Sequence, residues 1–455
     1  VRLSELEGRR VALWGLGREG RASWRAIRAR FAELPLTVFC PEAEHAAAAA
    51  LADPRLSLHG QPDAEALAAY EIVIKSPGIS AYRPELLAAA ARGTRFTSGT
   101  ALWFGESLPG RTVCVTGTKG KSSTTALIAH LLRAAGKRVG LAGNIGLPLL
   151  ELIDPPTLPD YWCIELSSYQ TRDAVAPDLA LLLNLYPEHL DWHGSLQRYC
   201  ADKLALVTQA APRRTLLNFA DAQLRALGET LPEVCWFGRE DGWHLRDGDI
   251  HRGERRVFAG TDLALPGTHN RLNLCAALAA IEALGENAAA MAAAAGSFGG
   301  LPHRLHALGR REGVEYVDDS ISTTPEASLA ALASLSGQQV VLLLGGYERG
   351  LPWEGVAARL GDPPPTRIIC RGQNGARIAA TLRRERPELS IEEIAGFEHA
   401  VATAHAAAGA AGVVLLSPGA PSFPEFRDYA ERGRRFAAAA GLDHPAAEIP
   451  GLGIA

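Results

Sequence analysis

Arg111-Thr112-Val113-Cys114-Val115-Thr116-Gly117-Thr118-Lys119-Gly120-Lys121-Ser122-Ser123-Thr124-Thr125 reads as a short strand running into a loop of glycine, lysine and hydroxyl residues. The apolar-periodic helix Ala126–Leu132 stands directly behind it. Strand, glycine loop and helix start in that order suit a phosphate, because backbone N–H groups and the positive end of a helix then face one anion. On this reading Lys121 reaches the β- and γ-phosphates of a nucleotide and Ser122 or Ser123 meets Mg²⁺. Val115 stands where the strict G-x-x-x-x-G-K-[ST] pattern has its first glycine, so the loop departs from the kinase and GTPase form. Without a ligand it would be a glycine-rich turn.

Outward from this loop the same strand-loop-helix unit recurs, which predicts α/β architecture with largely parallel sheets. Three groups of strands are expected. Arg10–Trp14, Leu36–Phe39 and Ile72–Lys75 belong to residues 1–109, ending at the turn Leu108-Pro109-Gly110. Thr112–Thr116, Trp162–Leu166, Ala180–Asn184 and an edge strand Arg214–Asn218 belong to residues 110–300, ending at Gly299-Gly300-Leu301-Pro302. Val314–Val317, Gln339–Leu344, Arg367–Cys370 and Gly412–Leu416 belong to residues 301–455.

Composition fits such a chain. At 455 residues and 47% hydrophobic residues, about one domain per 150 residues gives two or three ordinary cores. A net charge of −4 with scattered basic residues gives no footprint for nucleic acid or an anionic membrane. Any nucleotide bound is then a small molecule. The seven cysteines include no C-x-x-C pair and sit mostly in apolar runs, so reduced core residues are expected. The opening Val1-Arg2-Leu3-Ser4-Glu5-Leu6-Glu7 is no signal-peptide core, and no apolar run reaches the roughly 20 residues that span a bilayer. A cytoplasmic location is expected. The Ala-rich run at 46–51 reads as helix, since Ala has the best helix propensity.

Further residues carry chemistry. Gly143-Asn144-Ile145-Gly146 precedes Glu165-Leu166-Ser167-Ser168-Tyr169-Gln170, which closes a strand beside the phosphate loop. A carboxylate there suits Mg²⁺. Asn184-Leu185-Tyr186-Pro187-Glu188-His189-Leu190-Asp191-Trp192-His193-Gly194 leads on to Lys203, and Thr268-His269-Asn270-Arg271-Leu272-Asn273 precedes the helix Leu274–Leu284, which Asn270 could simply cap.

The series GTxGKSS, GNIG, ELSS-aromatic-Q, N-x-x-x-x-HLD and a lysine fourteen residues on resembles the Mur ligases and the related folylpolyglutamate synthetases, ATP-dependent enzymes that form amide bonds. The resemblance implies three domains: a Rossmann-like N-terminal domain that binds the nucleotide-sugar, a central P-loop-type ATPase domain and a Rossmann-like C-terminal domain. By the same resemblance Gly117, Thr118, Lys119, Gly120, Lys121, Ser122 and Ser123 bind ATP. Ser122, Glu165 and His189 hold Mg²⁺ together with Lys203 as a carbamate, and Asn270 and Asn273 lie on the adenine side. Leu301-Pro302-His303-Arg304 is similar to the family linker whose arginine, here Arg304, meets the ATP phosphates. Asp318-Asp319-Ser320-Ile321-Ser322-Thr323-Thr324-Pro325 is either an ordinary helix cap or, by resemblance, a ligand loop in which Asp319 serves ATP.

Ser417-Pro418-Gly419-Ala420-Pro421-Ser422-Phe423-Pro424-Glu425-Phe426 and the following Arg432-Gly433 resemble the glutamate-adding branch of the family. That likeness implies Thr323, Arg349, Ser422 and Phe423 at the incoming glutamate. Two departures stand out. Ile321 replaces a usual lysine, and Gly345-Gly346-Tyr347-Glu348-Arg349-Gly350 replaces GG-D-G-K. Arginine grips carboxylates through a planar fork, so the exchange redraws a pocket for a dicarboxylic amino acid. The expectation is the L-glutamate-adding variant, whose product a later epimerase converts, with D-glutamate as the alternative.

Gly15-Leu16-Gly17-Arg18-Glu19-Gly20 after the first strand is a G-x-G-x-x-G, and taken alone it suggests a dinucleotide. The acidic partner on a ribose is matched only loosely by Glu42 or Glu44. Ser76-Pro77-Gly78-Ile79 resembles the turn with which the glutamate-adding branch holds the UDP part of its substrate. The resemblance therefore implies UDP-N-acetylmuramoyl-L-alanine on Gly15, Leu16, Gly17, Arg18, Ser76, Pro77 and Gly78, with Asn144, Ser167, Gln170 and His189 completing the site. A nicotinamide-dependent oxidoreductase, a non-catalytic nucleotide-binding regulator and a folate-type polyglutamylating ligase are the rival readings. A monomer is expected.

Overall fold

A computed structural model describes every residue except Pro266, residues 444–448 and Pro450. The described chain forms three sheets in an α/β arrangement. The first is all parallel in the order β3-β2-β1-β4-β5, built from β1 (Val11–Trp14), β2 (Leu36–Phe39), β3 (Leu56–His59), β4 (Ile72–Lys75) and β5 (Arg95–Thr97). The second takes β6 (Arg111–Thr116), β7 (Val139–Gly143), β8 (Tyr161–Glu165), β9 (Leu179–Leu182), β10 (Thr215–Asn218), β11 (Val234–Phe237), β12 (Trp243–Arg246), β13 (Asp249–Arg252) and β14 (Arg255–Phe258). The third holds β15 (His306–Arg311), β16 (Val314–Asp318), β17 (Val340–Leu344), β18 (Arg367–Cys370), β19 (Ile391–Glu393) and β20 (Val413–Leu416), ordered β15-β16-β20-β17-β18-β19 with only β15 antiparallel. A last strand, β21 (Gly453–Ile454), returns to the second sheet, whose order is β14-β13-β12-β11-β10-β9-β6-β8-β7-β21.

The central strands are continuous apolar runs because both faces of a parallel sheet are covered. Strands β7, β8, β9, β17 and β20 are buried along their whole length. Thr215–Asn218 is not the edge strand expected from sequence. It pairs with β9 on one side and β11 on the other, and the antiparallel β12–β14 continue the sheet beyond. The chain separates into two compact units, Val1–Leu263 with Arg271–Phe298 and Gly451–Ala455, and Ala264–Asn270 with Gly299–Pro450. The first unit thus carries two sheets and the second carries one.

Helices α1 (Arg18–Arg30), α2 (Lys121–Ala134) and α3 (Leu196–Thr208) belong to the first unit, α4 is Thr268–Ala283, and α5 (Pro325–Ala333) and α6 (Tyr429–Ala440) belong to the second. Gly267, at φ 92°, makes the turn before α4. The helix therefore begins at Thr268 and Asn270 lies inside it, not at its cap. The cap of α5 is Thr324, whose hydroxyl accepts from the Ala327 N–H ahead of Pro325, and this leaves the aspartates upstream for other partners. Five cysteines are buried as expected, while Cys200 and Cys235 are partly exposed. Burial pushes the Cys163 thiol up to about 12, where a thiol is inert.

Candidate active site

The phosphate loop sits between β6 and α2, at the point where the strand order of the second sheet reverses, β9 lying on one side of β6 and β8 on the other. Gly120 takes the left-handed conformation (φ 86°) at the helix start. A side chain at Gly117 would meet the Leu183 Cβ at 2.9 Å. Asn184 fastens the loop from both sides: its Oδ1 accepts from the Lys119 N–H at 2.8 Å and its Nδ2 donates to the Lys119 carbonyl at 3.0 Å. Thr118 Oγ1 lies 2.6 Å from the Tyr199 hydroxyl, and Lys121 Nζ donates to the Thr118 carbonyl at 2.9 Å. Asn273 lies over the loop, its Oδ1 2.5 Å from where a Cβ on Gly120 would stand.

Charges gather around this loop. Helix α3 starts at a Ser195 cap and presents Tyr199 and Lys203, at i and i+4, on one buried face. Lys203 Nζ donates to the Gly117 carbonyl at 2.9 Å. Burial first and the Lys121 ammonium second hold its amine well below the ordinary lysine range, against the opposing pull of Glu188 and Glu165. Glu165 is buried at the end of β8, and Asn144 Nδ2 donates to its Oε1 at 2.8 Å. Its Oε2 is buried with no hydrogen-bond partner among the described residues. Glu188 pairs with Lys119 at 2.8 Å; burial raises its carboxyl, but Lys119, His189 and Lys121 together bring it below the usual range. His189 has a positive φ of 55°, unusual for a residue with a side chain, and its ring packs near Tyr169. Ser122 is half-buried in the first turn of α2, and Ser123 is buried. Among the described residues no three His, Cys, Asp or Glu side chains gather as a ready-made metal site. Mg²⁺ does not require one, since it commonly takes one or two carboxylates plus substrate phosphates.

The expected nucleotide-sugar residues converge in the same unit. Gly15 packs against Ser76, whose hydroxyl donates to the Gly15 carbonyl at 3.2 Å. Arg18 donates to the Gly146 carbonyl at 3.0 Å, which draws the Gly15–Gly20 loop to the Asn144 loop. Leu16, Gly17 and Arg18 line a 280 Å³ recess with Arg21 and Glu44. Pro77 accepts from the Trp192 indole N–H at 3.0 Å. Gln170 is spent internally: it accepts from the Ser167 hydroxyl at 2.8 Å and donates to Thr100 at 3.1 Å. Gly78 stands open in the turn.

In the second unit, Arg304 lies within electrostatic reach of Asp319 and His269. Burial pushes the Asp319 carboxyl up to about 6, although Ser322, Ser417 and Arg304 oppose the shift. Arg432 ties two loops together by donating to the Ser320 carbonyl at 2.7 Å and the Ala420 carbonyl at 2.9 Å. Thr323 and Ser422 are half-buried, while Arg349 and Phe423 are exposed.

Sequence reading missed Asn184, Glu188 and Tyr199 as members of the phosphate-loop cluster. Glu188 was signalled by lying next to His189; nothing in the spacing announces that Tyr199 meets Thr118. It also missed a buried network in which His193 lies 3.0 Å from the Ser168 hydroxyl and 2.6 Å from Asp202, and Tyr82 donates to both Asp202 oxygens at 2.7 and 2.9 Å.

Residues 115–281 match the Mur ligase middle domain and residues 303–419 the Mur ligase glutamate ligase domain. The chain is 55% identical, over all of both chains, to the UDP-N-acetylmuramoyl-L-alanine–L-glutamate ligase of Xanthomonas campestris pv. campestris (strain 8004). It is 39% identical to the protein of the same name from a Micromonospora species, over 98% of this chain and all of that one. The crystal structure of the MurF ligase of Thermotoga maritima in complex with ADP covers 89% of this chain and 94% of its own, with a TM-score of 0.60 at 17% identity.

Proposed function

The chain belongs to the Mur ligase family, and on that premise we propose that it is an ATP-dependent ligase joining L-glutamate to UDP-N-acetylmuramoyl-L-alanine in the synthesis of peptidoglycan precursors. The observation that carries the chemistry is the cluster of Lys121, Lys203, Glu165 and Glu188 around the phosphate loop. The hand of glutamate rests on the name carried by full-length relatives and on Ile321 and Arg349, which depart from the D-glutamate pattern. The domain limits adopted are 1–109, 110–300 and 301–455. The setting is cytoplasmic, the protein a monomer, and an epimerase acts on its product. Among the described residues no helix is long and apolar enough to cross a membrane.

Two carboxylate-bearing substrates do not condense unaided. The alanine carboxylate therefore takes the γ-phosphoryl group of ATP, giving an acyl phosphate and ADP. The glutamate amine attacks the acyl carbon and loses a proton, and the tetrahedral adduct expels phosphate as the amide forms. Lys121 and Arg304 counter the charge that builds on the transferring group. Asn184 keeps the loop N–H groups aimed before ATP arrives. Mg²⁺ fits the site because Glu165 offers a buried, unpartnered oxygen; Glu165, His189, Ser122 and Lys203 as a carbamate would hold it. When bound, it supplies positive charge against the phosphate oxygens. Arg349, with Thr323 and Ser422 as hydroxyl donors, receives the glutamate carboxylates, and Phe423 flanks them.

The test supplies ATP, Mg²⁺ and UDP-N-acetylmuramoyl-L-alanine with either hand of glutamate, and follows phosphate release and product mass. Product with L-glutamate is expected. Exclusive use of D-glutamate would overturn the stereochemical part; no ligation with either hand would overturn the reaction.

A further inference from the structure

In the second unit Phe423, proposed above to flank the incoming glutamate, is paired with an aromatic ring, that of Tyr347, to which the ligation chemistry assigns no role. Beyond β17 the chain passes Gly345 and Gly346, where a side chain would overlap the Arg371 carbonyl and the Pro421 carbonyl respectively. Backbone therefore lies directly on backbone here, and the chain leaving β17 is held in register with the Pro418–Pro421 turn. Gly345 donates to the Pro418 carbonyl at 2.8 Å, Gly346 to Asn374 Oδ1 at 2.8 Å and Tyr347 to the Pro421 carbonyl at 3.0 Å. The Tyr347 ring then lies on the Phe423 ring, centroids 4.4 Å apart and planes 31° from parallel. Phe423 is 45% exposed, so the pair presents an open apolar face.

The next residue fixes the turn. Glu348 binds Arg377 through both oxygens at 2.7 and 2.9 Å, and its N–H donates to Gln373 at 3.1 Å. The carboxylate of this loop is thereby spent on Arg377. Arg349, beside it, is exposed and makes no ion pair among the described residues, which leaves one cation for an incoming dicarboxylate. A cation can hold a carboxylate of either enantiomer. Discrimination between hands needs a third, rigid contact, because inversion at Cα exchanges the hydrogen with the carboxyethyl arm, and a wall on one side rejects one arrangement.

We propose that Tyr347, braced by Phe423, is a specificity-determining residue whose ring forms that wall and so selects the hand of glutamate. The proposal rests on the ligase reading. It is tested with wild type, Tyr347→Phe, Tyr347→Leu and Tyr347→Ala, measuring kcat/KM for L- and D-glutamate and KM for ATP, with the thermal midpoint of each variant recorded. Tyr347→Phe keeps the stack and should keep the enantiomer ratio. Tyr347→Ala and Tyr347→Leu should raise KM for glutamate and lower the ratio by about tenfold or more, with KM for ATP unchanged. A ratio unmoved in both Tyr347→Leu and Tyr347→Ala overturns the wall, as does an equal loss in Tyr347→Phe. Absence of ligation by wild type with either hand overturns the ligase reading itself, and is separable because it precedes any variant.

Discussion

Glu19 stands in the first turn of α1, within the Gly15–Gly20 loop proposed above for the nucleotide-sugar, yet its Oε2 is buried without a hydrogen-bond partner among the described residues. Burial first, then the charge of Asp173, raises its carboxyl from 4.5 to about 7. The folded state thus holds a proton that the unfolded chain has already released between these values, so stability falls as pH rises from 4.5 to about 7 and is flat above. Glu19→Gln should be more stable than wild type at pH 8, by up to roughly 3 kcal/mol, and equal to it near pH 4; equal urea midpoints at pH 8 would refute this. Lys121 belongs to the opposite class, a residue proposed to act on ATP. Its Nζ donates to the carbonyl of Thr118 within the loop itself, and its charge acts on Lys203 and Glu188. Lys121→Ala should reduce ligation by at least about a hundredfold while circular dichroism shows the fold retained. Lys121 was legible in the sequence because glycine loop, lysine and helix start are neighbours along the chain. The burial of Glu19 was not, since it depends on Gly99, far along the chain, leaving room for the carboxylate, with the Glu19 Oε2 3.1 Å from where a Cβ would stand.

At the scale of elements, the phosphate loop works because two glycines let it pass where a side chain cannot. Gly117→Ala would push a methyl to 2.9 Å from the Leu183 Cβ and 3.3 Å from the Asn184 N–H, at a φ of 150°. The strain should cost about 1 to 3 kcal/mol and displace Asn184 from Lys119, so KM for ATP should rise along with the loss of stability; a stable variant with unchanged KM would show the loop to be slack. The parallel strands that were legible are short apolar or β-branched runs buried on both faces, as in β1, β2, β4 and β18, whereas the parallel strands β3, β5, β11 and β19, only partly buried, were not. Strand β7 was not legible. Its sequence Val139-Gly140-Leu141-Ala142-Gly143 looks like a turn, and it is a strand because the Trp162 ring covers Gly140, 2.5 Å from where a Cβ would stand. Strands β12–β14, rich in His and Arg, escaped for a related reason: their pairing is antiparallel at the sheet margin, where the continuous apolar signature of a buried parallel strand is missing.

At the scale of the molecule, the hydrophobic cores divide differently from the sheets. One cluster runs from Leu13 and Val38 of the first sheet through Leu102 and Trp103 to Cys114, Ile164 and Leu206 around the second. The third sheet has its own two layers, one with Leu342 and Ile378 and the other with Leu343 and Phe436. Residues that share one core lose it together, so three sheets should give two calorimetric transitions, with the first two sheets melting as one. The phosphate loop, Lys203 and Asn273 all belong to the first unit. A non-hydrolysable ATP analogue with Mg²⁺, at about 100 times its Kd, should stabilise that unit by about 2.7 kcal/mol and raise its transition by roughly 5 °C or more. Lys121→Ala should abolish the rise without altering the number of transitions. Three resolved transitions in wild type, with only the one assigned to residues 110–300 responding to nucleotide, would mean that the shared core does not couple the first two sheets.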